Sequence, residues 1–266
     1  MKIELTEKFE NLNILFNMGD FFSREIKNTR CSILFNDELP EDPYLNYATK
    51  IKIKGNISQA IKEIESIFVK HKSKPSFHIL PYSYPKNLGS LLKKMGYKPF
   101  AIDSWMFFDL EKNTERSETS VKIKKTGASE IQEFKHVFNE VYMNGEEDDP
   151  YKNLSHLYGE FMVRRFGAKK KECETEHYSA FIGNKMVGVI ALEHDKKIAG
   201  LYALAVLPEY RNMGAGRTLL VACIERAKEL KLGHIFLQTE KGSRNEKIFK
   251  KIGFKTKFVG ELLSKQ

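Results

Sequence analysis

The stretch ALAVLPEYRNMGAGRTLL, residues 203–220, runs from apolar residues ending at Leu207 into a loop holding two arginines and two glycines. Beyond the loop, apolar residues resume at helical spacing. Glycine has no Cβ, so a ligand can come close to its main chain. The first amides of a helix have no intrahelical acceptor, and the helix dipole adds about half a positive charge there. Strand, glycine loop and helix therefore make a cradle for an anion. Arg211 and Arg217 add full charges and Thr218 a hydroxyl, so a phosphate or pyrophosphate is the ligand the pattern suits best.

Three loop types use such a cradle. A P-loop ends in lysine followed by Ser or Thr; here Arg217-Thr218 follows Gly216, and the first glycine is absent. The dinucleotide fingerprint G-x-G-x-x-G starts at Gly214-Ala215-Gly216, but Leu219 stands where the third glycine belongs. Glu240, at the end of the next expected strand, keeps that alternative open as a ribose-binding acid. The third pattern, R-x-x-G-x-G, is complete in Arg211, Gly214 and Gly216.

Outward from the loop, a helix is expected from about Ala215 to Lys231, with Leu219, Leu220, Cys223, Ala227 and Leu230 on one stripe and Gly233 as its C-terminal cap. HIFLQTE follows as a strand, SRNEKIFKKI as a short helix and KTKFVGELL as a last strand. Upstream, HYSAFI, MVGVIALEH and IAGLYALAV read as consecutive strands, with Gly183-Asn184 as a tight turn. Before them, GASEIQEFKHVFNEVY and YKNLSHLYGEFMVRRF read as helices. The order β-α-α-β-β-β-α-β-α-β is that of an α/β layer architecture.

The polar stretch EKNTERSETS, residues 111–120, reads as a linker between two halves, 1–110 and 121–266. SLLKKMGYK (90–98) resembles KIFKKIGFK (247–255), an offset of 157 residues between Leu91 and Ile248. The same offset lays HIL (78–80) on IFL (235–237) and ISQAIKEIESIFVK (57–70) on the helix after the glycine loop. A match across strand, helix and closing glycine marks an internal repeat. In the first half, Ile57 and Gln59 replace the two loop glycines, so one cofactor site, in the second half, is expected.

With 266 residues and 41% hydrophobic content, the chain can build a sizeable core. Its net charge of +9 suits an anionic partner. No aromatic-basic module is present, so nucleic acid is not expected. Cys31, Cys173 and Cys223 have neither metal nor redox spacing, which fits a reducing compartment. No apolar stretch reads as a signal peptide or membrane span. A cytoplasmic protein without a metal is the expectation, as a monomer or homodimer.

Residues 121–266 resemble the GNAT superfamily of N-acyltransferases. The resemblance rests on residues 203–220 together with NEKIFKKIGF, residues 245–254. The first half resembles a degenerate copy, which implies two tandem GNAT-like domains, each a mixed, mostly antiparallel sheet flanked by helices. The resemblance implies acetyl-CoA as co-substrate. Leu204, Ala205 and Val206 would hold the pantetheine arm and the oxyanion donor. Arg211, Asn212, Met213, Gly214, Ala215, Gly216, Arg217 and Thr218 would hold the pyrophosphate, and Asn245 and Phe249 would line the arm. The family's usual tyrosine, four residues before the Gly of Gly-Phe, is here Phe249, which cannot give a proton. Tyr202 is the candidate substitute.

The amine must lose a proton before it attacks, because an unperturbed lysine-type amine has a pKa of about 10.4. Glu193, on the strand face of Val187, Val189 and Ala191, is the first candidate base; its other reading is a solvated acid at a hairpin end. His177 and His194 are weaker candidates. The acceptor would be a small-molecule or peptide amine. Glu146, Glu147, Asp148 and Asp149 would favour a cationic one, unless they form only a solvated loop. The alternative function is a non-catalytic CoA sensor. Gly214→Val is expected to abolish CoA binding while leaving the fold largely intact.

Overall fold

The computed structural model describes residues 3–114, 119–144, 151–167, 170 and 172–265. It divides into two compact units, Met1–Trp105 with Thr256–Gln266, and Met106–Lys255. By contact, then, the chain's last segment returns to the first unit.

In the first unit, helix α1 (Ile3–Asn17) precedes strands β1 (Arg24–Lys27), β2 (Ser32–Phe35) and β3 (Tyr47–Thr49). Helix α2 (Ile57–Lys70) leads to β4 (Ser76–Ile79), and α3 (Leu88–Lys94) to β5 (Tyr97–Phe108), whose residues from Met106 on belong to the second unit. β1, β2 and β3 pair antiparallel, whereas β3 and β4 pair parallel because α2 carries the chain back to the starting edge. The helix forms on a stripe of Ala60, Ile61, Ile64 and Phe68, all buried in a core with Phe35, Phe77 and Leu92.

The second unit holds β6 (Lys122–Lys125), α4 (Ile131–Met143), α5 (Leu157–Arg165), β7 (Glu174–Ile182), β8 (Lys185–His194), β9 (Ile198–Val206), α6 (Ala215–Glu229), β10 (His234–Glu240) and α7 (Arg244–Ile252). β6 to β9 form an antiparallel meander, and β10 lies parallel to β9 after the α6 crossover. Both units thus repeat one plan: antiparallel strands, then a helix, then a parallel strand. The 157-residue offset carries α2 onto α6, β4 onto β10 and α3 onto α7, so the internal repeat holds at the level of elements. The closing strand β11 (Lys255–Lys265) pairs antiparallel with β4, Leu262 opposite His78.

Some local signals act as expected and others do not. Gly183-Asn184 closes the β7–β8 hairpin, with Gly183 at φ 59° and Ile182 opposite Lys185. The residues of the second expected helix become helical only at Leu157. α6 is stopped by Lys231 rather than Gly233. Lys231 takes the left-handed turn at φ 55°, and Leu232 N–H donates back to the Ala227 carbonyl at 3.0 Å. The Gly233 amide instead donates to the Lys197 carbonyl at 2.7 Å. α6 is tied to β7 by Arg226, whose Nε and a terminal nitrogen each reach a Glu176 oxygen at 2.9 Å. Burial raises the Glu176 pKa, but hydrogen bonds from Arg226, Tyr178 and Lys125 outweigh it and bring it down to about 2.

One face of α1 is polar and buried: Thr6, Glu10, Asn13 and Asn17 are all at most 7% exposed. The Thr49 hydroxyl donates to Glu10. Burial pushes the Glu10 pKa up to about 7, against the lowering effects of His78, Thr49 and Lys50. A carboxyl raised from 4.5 to about 7 on folding binds more protons in the folded state, so stability falls as pH rises through that window. The loss levels off above pH 7 at about 3 kcal/mol. Glu10→Gln is therefore expected to gain stability over the parent at pH 8 relative to pH 5. Urea unfolding at the two values checks it; an unchanged difference between parent and variant would rule out a buried, titrating Glu10.

Candidate functional site

The two helix N-termini that the repeat brings into correspondence differ in how they are capped. α2 begins at Asn56, whose side chain accepts the Gln59 N–H at 3.1 Å. α6 begins at Gly214, which has no side chain to cap it. The first turn of α6 holds no acid to oppose an anion. Asn212 and Gly214 lie at φ 62° and 89°, the left-handed region, so the loop folds tightly into the helix. Ala215 is buried and anchors the turn, whereas Met213 is 48% exposed.

The glycines play different parts. A Cβ on Gly214 would meet the Thr119 methyl at 2.8 Å and would sit on a left-handed backbone. Gly214→Val therefore strains the free protein, contrary to the fold-neutral expectation. A Cβ on Gly216 would meet only Val206 Cγ2, at 3.5 Å, an ordinary contact. Thr218 gives its hydroxyl proton to the Gly214 carbonyl at 2.9 Å, so an anion could be met by its oxygen only if that bond broke. Arg211 Nε donates to the Val206 carbonyl at 3.3 Å, and the half-buried Arg217 lies in the first turn of α6.

β9 pairs with β10 only from Ile198 to Leu201. On its other side, Val189 faces Ala205 and Ala191 faces Tyr202, so Ile190 stands opposite both Ala203 and Leu204. This is a β-bulge, with Ala203 at φ 57°. Leu207 N–H donates to the Val187 carbonyl at 2.9 Å, and alternation turns the Ala205 main chain toward β8 as well. Of the three residues expected to meet the pantetheine arm, Leu204 and Val206 keep main-chain groups on the edge away from β8. Ala205 does not.

Glu193 is neither solvated nor alone among apolar groups. It is fully buried and ion-paired with Arg165 of α5, itself fully buried. The Arg165 guanidinium also lies 6.0 Å from the Tyr202 ring centre. That ring leans back over Gly200, where an added Cβ would be 2.9 Å from the Tyr202 hydroxyl oxygen. His177 lies between the Phe134 and Phe166 rings, at 5.1 and 5.5 Å. Burial, with Arg165 nearby, pushes its pKa down to about 4, so its imidazole is neutral and weakly basic at pH 7. His194 is buried, its Nδ1 3.1 Å from the Asp195 carbonyl.

Phe249 is 8% exposed and packs in the core with Phe108 and Phe254. Asn245 is half-buried in the first turn of α7, but capping falls to Ser243, which accepts the Glu246 N–H at 3.1 Å. That leaves the Asn245 side chain outside the cap. Glu146, Glu147, Asp148 and Asp149 lie outside the described residues. Two contacts had no signal in the sequence: that of Arg165 with Glu193, and that of Tyr142 of α4, whose hydroxyl donates to the Leu204 carbonyl at 2.9 Å. Among the described residues, no group of three or more His, Cys, Asp or Glu side chains could hold a metal ion, and no helix is long and apolar enough to cross a membrane.

Residues 132–254 match the model of the acetyltransferase (GNAT) family. Among solved structures, a GCN5-related N-acetyltransferase from Kribbella flavida superposes at a TM-score of 0.70 with 15% identity, over 100% of this chain and 96% of its own. A functionally unknown conserved protein from Staphylococcus epidermidis superposes at 0.67 with 14% identity, over 92% and 94%. A tandem GNAT protein from the clavulanic acid biosynthesis pathway superposes at 0.60 with 11% identity, over 88% of this chain and 77% of its own. At such identities the likeness speaks for the fold, which is that of two tandem GNAT-like units.

Proposed function

We propose that this protein transfers the acetyl group of acetyl-CoA to a primary amine by direct attack, a reading supported by the match of residues 132–254 to the acetyltransferase (GNAT) family model. The observation that carries this reading is the start of α6 at Gly214, which has no capping side chain, beside a β9 edge that β10 has left. Coenzyme A fits both features. Its pyrophosphate is an anion for the first amides of α6, at Ala215 and Gly216, with Arg211 and Arg217 close by in sequence. Its pantetheine arm carries amides that suit an unpaired strand edge. The main chain of Leu204 and Val206 supplies that edge, and a fixed N–H there is the kind of donor an oxyanion needs.

The first unit offers no equivalent cradle, since Asn56 already occupies the start of α2. One cofactor per chain is the consequence. Glu193 serves chiefly to neutralise Arg165 and so to hold α5 on the sheet. Tyr202 packs beside that pair. The acceptor is a primary amine that reaches the thioester uncharged.

Calorimetric titration with acetyl-CoA is expected to give one site per chain, and thiol release over a panel of amines is expected to find turnover. Absence of binding would overturn the proposal. Tight binding without turnover on any amine would support a CoA sensor instead, a second reading favoured by the burial of Phe249 where a hydroxyl is usual.

A further inference from the structure

We propose that Tyr142 is a catalytic residue of this site, giving its hydroxyl proton to the sulfur of coenzyme A as the thiol leaves. The inference rests on the transferase reading above. Transfer to an amine breaks the C–S bond and places an electron pair on sulfur, so a nearby O–H group eases the step. Three aromatic positions compete for that role, and their geometry separates them. Phe249 has no hydroxyl and is packed into the core. Tyr202 folds back over Gly200, upstream of the bulge, with its ring toward Arg165. Tyr142 alone of the three brings a hydroxyl to the bulge, 2.9 Å from the Leu204 carbonyl.

That carbonyl lies on the edge of β9 that faces away from β8. Leu207 and Ala205 direct their main-chain groups to β8, so Leu204 and Val206 direct theirs the other way. β10 has already parted from β9 at Leu201, and side chains meet both carbonyls, Tyr142 at Leu204 and Arg211 at Val206. A thioester laid along this edge displaces the Tyr142 hydroxyl from the carbonyl and receives it at sulfur. The phenol is half-buried and its ring rests on Phe138, with centroids 4.6 Å apart, so the hydroxyl is held by its own helix.

The step balances. The amine nitrogen bonds to the carbonyl carbon, the C–S bond breaks with its pair going to sulfur, and Tyr142 passes its proton to that sulfur. The phenolate then regains the proton shed by the nitrogen.

Tyr142→Phe keeps the ring and removes only the hydroxyl. It is expected to lower kcat about 100-fold while KM for acetyl-CoA stays within about twofold. A readout independent of turnover compares CoA with desulfo-CoA at pH 8. The parent is expected to prefer CoA by about tenfold through the hydroxyl–sulfur bond, and Tyr142→Phe to lose that preference while binding desulfo-CoA unchanged. A variant that weakens both ligands equally would mean that Tyr142 only positions the bulge, and would overturn the proposal. So would retention of both the preference and the rate. If the parent binds neither ligand, the transferase reading itself falls. If CoA is bound and no amine is acetylated, the preference for sulfur still decides the role of Tyr142.

Discussion

Arg165→Ala is expected to destabilise the protein by about 3–5 kcal/mol, among the largest losses of any single side chain here. Arg165 and Glu193 are both fully buried and ion-paired, so truncating the arginine leaves a carboxylate without its counter-ion in the interior. The expense lies in the uncompensated charge rather than in the bond lost. Arg165→Met combined with Glu193→Leu removes both charges and keeps most of the volume, and is expected to recover most of the single-variant loss. Denaturant midpoints for the three proteins check this. A single variant costing less than about 1 kcal/mol would mean that water reaches the pair.

Gly216→Ala is expected to weaken CoA binding about 10- to 100-fold, as one or two charge-assisted bonds between main-chain amides and the pyrophosphate are lost. It is also expected to leave the free protein as stable or slightly more so. Alanine is the better helix former by up to about 1 kcal/mol, and its Cβ would touch only Val206, at 3.5 Å. The opposed signs are what make this variant informative. Gly214→Val combines loss of ligand with strain at φ 89° and a clash with Thr119, so its effect on binding could not be separated from damage to the loop. Calorimetry against acetyl-CoA with a parallel thermal melt decides the matter. Undiminished affinity in Gly216→Ala would mean that the first amides of α6 are not the pyrophosphate site.

The elements nearest the glycine loop were the most legible from the sequence, because local chemistry fixes them. Apolar spacing at Leu219, Leu220, Cys223 and Ala227 places α6 on the sheet, and all four residues are buried. Gly183-Asn184 closes its hairpin because glycine takes a positive φ without penalty. The end of α6 was misplaced by two residues, since Lys231 adopts the left-handed turn that glycine at 233 would have taken more easily. Its Schellman bonds to Ala227 and Lys228 offset the small strain of a non-glycine residue there.

The chemistry-bearing side chains were harder to read for one reason: each is defined by a partner distant in the chain. Glu193 looks solvated or apolar until Arg165 is found beside it. Asn56 looks like an ordinary helix start until it is compared with the bare Gly214. Tyr142 is one more aromatic residue on α4 until its hydroxyl is seen at the carbonyl of Leu204, 62 residues away.

By itself, then, the sequence determined the glycine turn at the head of α6, the duplication and the absence of a hydroxyl at position 249, since these depend on glycine, helix periodicity and residue identity alone. Tertiary structure decided which acid is paired, which strand carbonyls face the open edge and which tyrosine reaches them. Burial and cross-strand register set those outcomes, and both arise only when segments far apart in the chain pack together.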